Sequence, residues 1–170
     1  MRRMISAGLL MFRKKESAVE VLLVHPGGPY FQKKEEGAWT IPKGEAAEGE
    51  DLLTRARIEF EEELGIAVGG AAVAGGTDSW MELGEVKQKG GKRVHAWAFA
   101  GDLPPDFRPS SNTFEMEWPP RSGKTQPFPE IDQASFFPLE LARAKINPAQ
   151  AVFLDRLVAA LAVAGKGDAQ

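Results

Sequence analysis

Residues 44–66 read GEAAEGEDLLTRARIEFEEELGI, an acidic stretch that opens on Gly44 and all but closes on Gly65. Between Glu50 and Leu64 the apolar residues Leu53, Ala56, Phe60 and Leu64 recur at helical spacing, which predicts a helix with one side turned to a core. Gly65 supplies a natural C-terminal stop. On an adjacent face Glu59, Glu62 and Glu63 stand at i, i+3 and i+4, so three carboxylates meet near the end of the helix that least favours negative charge. No lysine or arginine lies one turn from Glu63 in either direction. A solvated acidic face is the plain reading of such a run. A bound divalent cation is the other, and clustered carboxylates are hard oxygen donors suited to magnesium, manganese or calcium.

The stretch resembles the Nudix box, G-x5-E-x7-R-E-U-x-E-E-x-G-U with U a bulky apolar residue. Gly44, Glu50, Glu59, Phe60, Glu62, Glu63, Gly65 and Ile66 all fall in register. One position departs: Ile58 stands where the family has arginine, with Arg55 and Arg57 nearby on other helix faces. The resemblance implies an α/β/α sandwich around a mixed β-sheet, where sequence pattern alone supports only a mixed α/β domain. It also implies hydrolysis of a pyrophosphate bond in a nucleoside diphosphate derivative, with Mg2+ or Mn2+ as cofactor and a small nucleotide as partner. Glu59, Glu62 and Glu63 would hold metal, joined by the Gly44 carbonyl. Glu130, in a P-E-x-D-x-x-x-F passage similar to one found in many members, would be a further ligand or base. The proton of water would go to Glu59 or Glu130. Glu50 is expected to stabilise the loop–helix junction, and Arg55, four residues before Glu59, to stand in for the missing arginine.

The remainder of the chain frames this segment. With 170 residues, a 43% hydrophobic fraction and a net charge of −3, the chain has the size and composition of one domain, taken as 1–164 with a frayed tail at 165–170. There is no broad cationic surface for a stable nucleic-acid complex. The absence of cysteine excludes thiolate chemistry and fits a reducing, cytoplasmic location. No stretch has the roughly 18–20 apolar residues that a membrane span requires. The N-terminal MRRMISAGLLMF reads as a first strand rather than a signal peptide, and a homodimer is left open.

Strands are expected at Ser6–Phe12, Glu20–Val24 and Trp39–Gly44, followed by a hairpin of Trp80–Lys87 and Arg93–Ala100 turning at Gly90-Gly91. Val68–Gly76 is weakly informative. Lys87, Lys89, Lys92 and Arg93 at the hairpin tip, with Lys43, are candidates for binding a polyanionic substrate; an edge guarded by lysines is the alternative. His25 is expected to cap or face solvent, His95 to lie on a strand face, and Trp39 to be core. The proline-rich passage 101–129 is expected to hold little regular structure beyond a short strand within Ser111–Trp118. That part resembles an SNTFE-x-EWPP passage of a bacterial Nudix branch described as nucleoside triphosphate pyrophosphohydrolases. Glu117 and Glu115 are accordingly second-rank site candidates, and Phe114 and Trp118 would stack on a base or anchor the loop. A strand ending at Pro138, a short helix Leu139–Lys145 and a last helix from Asn147-Pro148 to about Ala164 complete the chain.

Two functions from different classes stay open: a metal-dependent pyrophosphohydrolase, with dinucleoside polyphosphates slightly preferred over nucleoside triphosphates and ADP-ribose, and a nucleotide-binding module that has lost turnover. An isopentenyl diphosphate isomerase is a poor third, because the cysteine of its best-known arrangement is absent.

Overall fold

The structure, a computed structural model, describes residues 5–68 and 80–168, with side chains as far as Ala164. The glycine- and alanine-rich passage beyond Val68 lies outside the described residues. Strand β1 (Ile5–Lys15) is the centre of the sheet. Its residues alternate between two buried faces, Ala7, Leu9 and Met11 towards one helical layer and Leu10 and Phe12 towards the other. A strand covered on both sides reads as a continuous apolar run, which is why ISAGLLMF carries no polar alternation.

One edge of β1 pairs in parallel with β5 (Arg93–Ala100), which pairs in turn with β4 (Met81–Lys87). The other edge is shared. β2 (Ala18–Pro26) pairs with β1 only from Phe12 to Lys15, then swings away to β8 (Ile131–Pro138), while β3 (Lys43–Glu45) takes up Ser6–Gly8. Residues 39–45 form a wedge between the splayed strands: Val24 and Thr40 exchange both backbone hydrogen bonds (2.8 and 2.9 Å), and the Leu9 N–H donates to the Pro42 carbonyl (3.1 Å). The close approach requires Gly8, where a Cβ would come within 2.7 Å of Ile41 and of the Pro42 carbonyl. The mixed sheet and its two helical layers agree with the α/β/α sandwich implied by the resemblance.

Helix α1 (Leu52–Leu64) covers one face through Ala56, Phe60 and Leu64, Phe60 meeting Phe99 edge-on at 5.6 Å. Full burial of such an aromatic contributes about 1.5–3 kcal/mol. The helix begins two residues later than its apolar pattern suggests. The short carboxylate of Asp51 caps the Thr54 N–H at 3.0 Å, whereas Glu50 turns back to the Ala47 N–H. The opposite face is covered by α2 (Leu139–Lys145) and α3 (Ala151–Asp168), with Phe153, Leu154 and Leu157 fully buried. The helical backbone of α3 runs four residues past the expected end at Ala164. β4 is bulged at Gly84, and Arg156 from α3 donates to the carbonyls of Leu83 and Glu85 (2.9 and 3.0 Å). No described helix is long and apolar enough to cross a membrane.

The passage 101–129 has the short strand expected within Ser111–Trp118 and, against expectation, a second strand that pairs with it. β6 (Thr113–Glu117) and β7 (Thr125–Pro129) form a two-stranded ribbon apart from the main sheet. Pro127 and Pro129 are two residues apart, so both missing N–H groups fall on the edge that pairs with nothing, and the ribbon tolerates them.

Candidate active site

The wedge and the helix together place the box residues. The wedge's end is fixed by Gln150, fully buried, whose Oε1 accepts from the Ile41 N–H (3.0 Å) while its Nε2 donates to Gln88 (2.9 Å). Sequence inspection did not single out Gln150, since nothing local distinguishes a glutamine at a helix start. From this anchored segment Lys43 and Gly44 enter β3. The carboxylate of Glu59 lies directly over Gly44, in the space a Cβ would fill. Gly44→Ala should therefore displace Glu59 from its place against β3.

Arg55 connects the two halves of the box. Its Nε and Nη2 engage the Glu50 carboxylate at 2.8–3.0 Å, and its Nη1 reaches Glu59 at 3.2 Å. Glu50 also accepts from the Ala47 N–H at 2.9 Å, so a single carboxylate ties the loop before α1 to the helix. Ile58 is 36% exposed and makes no such connection.

Glu63 is only 8% exposed, and its Oε2 is buried without a hydrogen-bond partner. Burial, reinforced by the charge of Glu59 and more weakly by that of Glu130, pushes its carboxyl up to about 8 despite the opposing pull of Lys43. Glu59 is raised too, by burial first, with the Arg55 bond acting against it and Glu62 and Glu130 acting with it. Burial lowers Lys43, and Lys92 on the β4–β5 turn lowers it further, while Glu63 favours its charged form. The structure thus gathers Glu59, Glu62, Glu63, Glu130 and Lys43 into one electrostatic neighbourhood. Glu130 arrives from a separate element: its N–H donates to the Asn112 carbonyl and its own carbonyl accepts from Gly27, both at 2.9 Å.

The donor set suits a hard divalent cation. All the side chains are carboxylates, one has an orphaned buried oxygen, and the lack of a Cβ at Gly44 lets the Glu59 carboxylate seat against the sheet. Among the described residues, no three acidic or histidine side chains already converge as a ligand cluster, so the acids border the site without meeting at a point.

The remaining candidates are dispersed. Arg93 is paired with Glu85 at 3.2 Å, Lys87 and Lys89 are exposed on the hairpin, and Lys92 is the tip residue whose charge acts on Lys43. Glu117 and Glu115 occupy the exposed face of β6, opposite Thr125 and Pro127. His25 neither caps nor faces solvent: it is 1% exposed, with Nδ1 2.8 Å from Asp132 and Nε2 2.6 Å from the Lys34 carbonyl. It fastens the loop after β2 to β8, a long-range role that its position at a strand end did not announce. His95 lies on the face of β5, 2.8 Å from Glu82, and Trp39 is buried against Phe137.

Several solved structures share this architecture. An Ap4A hydrolase of C. elegans, solved as a binary complex, is 25% identical, with 92% of this chain and 98% of that chain covered at a TM-score of 0.60. The NUDIX domain of Shewanella oneidensis NrtR, solved with ADP ribose, is 13% identical over 95% of this chain and 90% of that one, with a TM-score of 0.57. A MutT protein of Methanosarcina mazei Go1 is 20% identical over 92% and 94%, with a TM-score of 0.54. The latter two likenesses are of fold. No curated protein matches the chain by sequence. The family model of the NUDIX domain matches residues 2–157, and with the box geometry described above the chain belongs to the Nudix family.

Proposed function

We propose that the protein hydrolyses a pyrophosphate bond in a nucleoside diphosphate derivative, with dinucleoside polyphosphates as the preferred class and Mg2+ or Mn2+ as cofactor. The observation that carries this reading is Glu63, a buried acid with an unpartnered oxygen beside Glu59 at a helix end that repels anions. Glu59, Glu62 and Glu63, with the Gly44 carbonyl, would hold the ion. When bound, such an ion neutralises phosphate oxygens and acidifies water.

The chain's own groups supply the rest. Arg55 orients Glu59 and opposes the upward pull of burial on its carboxyl, Lys43 offers a cation to a phosphate oxygen, and Glu130, exposed just before β8, accepts the proton of the attacking water. The preference for dinucleoside polyphosphates draws on the P-K-G entry to the box and on the 25% identity to the C. elegans Ap4A hydrolase.

A nucleotide panel assayed with magnesium or manganese tests the proposal. Hydrolysis of dinucleoside tetraphosphate, abolished by chelation, is the expected result. Turnover indifferent to chelator, or nucleotide binding without products, would overturn it. Ile58 favours the second outcome, in which the domain binds nucleotide without cleaving it; the Arg55 bridge favours the first.

A further inference from the structure

The two margins of the main sheet differ: β4 is kinked and bonded to Arg156, whereas β8, the last strand on the other side, is open along part of its length. Val24 gives both its backbone groups to Thr40, so its pairing with Ala134 is of the kind without hydrogen bonds, and the N–H and C=O of Ala134 point outward. Two residues on, those of Phe136 point the same way. At the start of the strand Ser111 already holds both groups of Ile131 (3.1 and 3.3 Å). Farther along, among the described residues, only the Ser135 hydroxyl comes near, 3.5 Å from the Phe136 carbonyl. Exposed edges are ordinarily guarded by lysine, proline or a bulge. Residues 134–137, Ala-Ser-Phe-Phe, have none of these.

A cleft of about 680 Å³ lies against this margin. Leu22 and Phe136 line it from the sheet, and Leu103 and Phe107 from the loop after β5. Ala134, Ser135 and Phe136 all border it, so it reaches the backbone of the strand as well as one face. It is remote from the box: Arg13 on its rim lies six residues along β1 from Ala7, the partner of Gly44, about 20 Å away. The rim is acidic. Arg13 lies over Phe136 at 3.9 Å and gives Nε to Glu20 and Nη1 to Asp102, two carboxylates for one cation, and Asp102 is 45% exposed. Within residues 125–142 stand Glu130, Asp132 and Glu140, with no lysine or arginine. Such a margin repels phosphate, and a second copy laid along it would bring acids to acids.

We infer that the β8 margin and its cleft dock a short extended segment of a partner protein, added as a further strand, with an apolar side chain in the cleft and a basic residue on the same face meeting Asp102. The outward groups of Ala134 and Phe136 hold the backbone of the segment, and the cleft and the acids select its side chains. No box residue lies on this margin, so docking there does not depend on turnover.

The probe is a fluorescent, end-blocked pentapeptide of lysine, valine, phenylalanine, valine and lysine in that order, whose phenylalanine and lysines share a face. Anisotropy should show saturable binding, weakened at least about tenfold when glutamate replaces both lysines. Ala134→Pro removes one outward N–H while leaving the ladder to β2 intact, and should weaken binding about tenfold, the worth of one such bond. Methylated peptides decide the matter on the unaltered protein should that variant fail to fold. Methyl groups on the valine nitrogens, or on the phenylalanine nitrogen, should abolish binding in one pattern and spare it in the other, because a strand adds through a single edge. No saturable binding, equal binding of the glutamate peptide, indifference to Ala134→Pro in a folded variant, or the same effect from both methylation patterns overturns the inference. So does sedimentation that finds a dimer of the unaltered protein dissociated by Ala134→Pro, which would give the margin to a second copy.

Discussion

Glu63→Gln is expected to lower hydrolysis by about 10²- to 10³-fold, the cost of removing one preorganised charge from a site where phosphate is attacked. The change is nearly isosteric, so the loss reports on charge rather than packing. Glu62→Gln should behave similarly, and retention of rate in both variants would remove the box from the chemistry. The same substitution has a signature in stability. In the folded protein the Glu63 carboxyl is raised to about 8, above its ordinary value in the unfolded chain, so folding strengthens proton binding there. That contribution is complete below the unfolded pKa and is lost as pH rises through the folded one. Metal-free protein should therefore melt at progressively lower temperature between about pH 5 and pH 9, the Glu63→Gln variant should show a shallower decline, and magnesium added at the alkaline end should restore what was lost. Parallel melting curves of the two proteins, with and without chelator, read all three outcomes.

Arg55→Ala should reduce kcat by about 10- to 100-fold, the range typical of residues that orient metal ligands, with a smaller change in KM. The reason is geometric. Arg55 is the guanidinium that holds Glu50 and Glu59 at once, and alanine frees both carboxylates, one of them over Gly44. Arg55→Lys should recover only part of the rate, because an ammonium cannot engage Glu50 with a two-pronged fork while also reaching Glu59. Ile58→Arg should leave hydrolysis almost unchanged if the arginine function already resides at position 55. A large gain from Ile58→Arg, together with an indifferent Arg55→Ala, would show that no compensation exists.

The box was legible in the sequence because its chemistry is local: Glu59, Glu62 and Glu63 share a helix face by spacing alone, and Arg55 reaches Glu59 by the i, i+4 rule. What escaped was set by distant partners. His25 is explained by Asp132, 107 residues away, and Gln150 by Ile41, 109 residues away. The short strand within Ser111–Trp118 was legible and is β6, but β7 was missed because prolines normally argue against strands, and only its pairing with β6 shows that Pro127 and Pro129 share an unpaired edge. Lys87, Lys89 and Arg93 looked equivalent as a cluster of charge. Pairing across the hairpin distinguishes them, committing Arg93 to Glu85.

The kinked outer strand of the sheet bears on self-association. With Leu83 and Glu85 already giving their carbonyls to Arg156, and with the backbone twisted out of register at Gly84, a second copy arriving alongside would find no straight template to extend. Edge-to-edge pairing of two copies along β4 is thereby disfavoured, one arginine occupying two carbonyls of that margin.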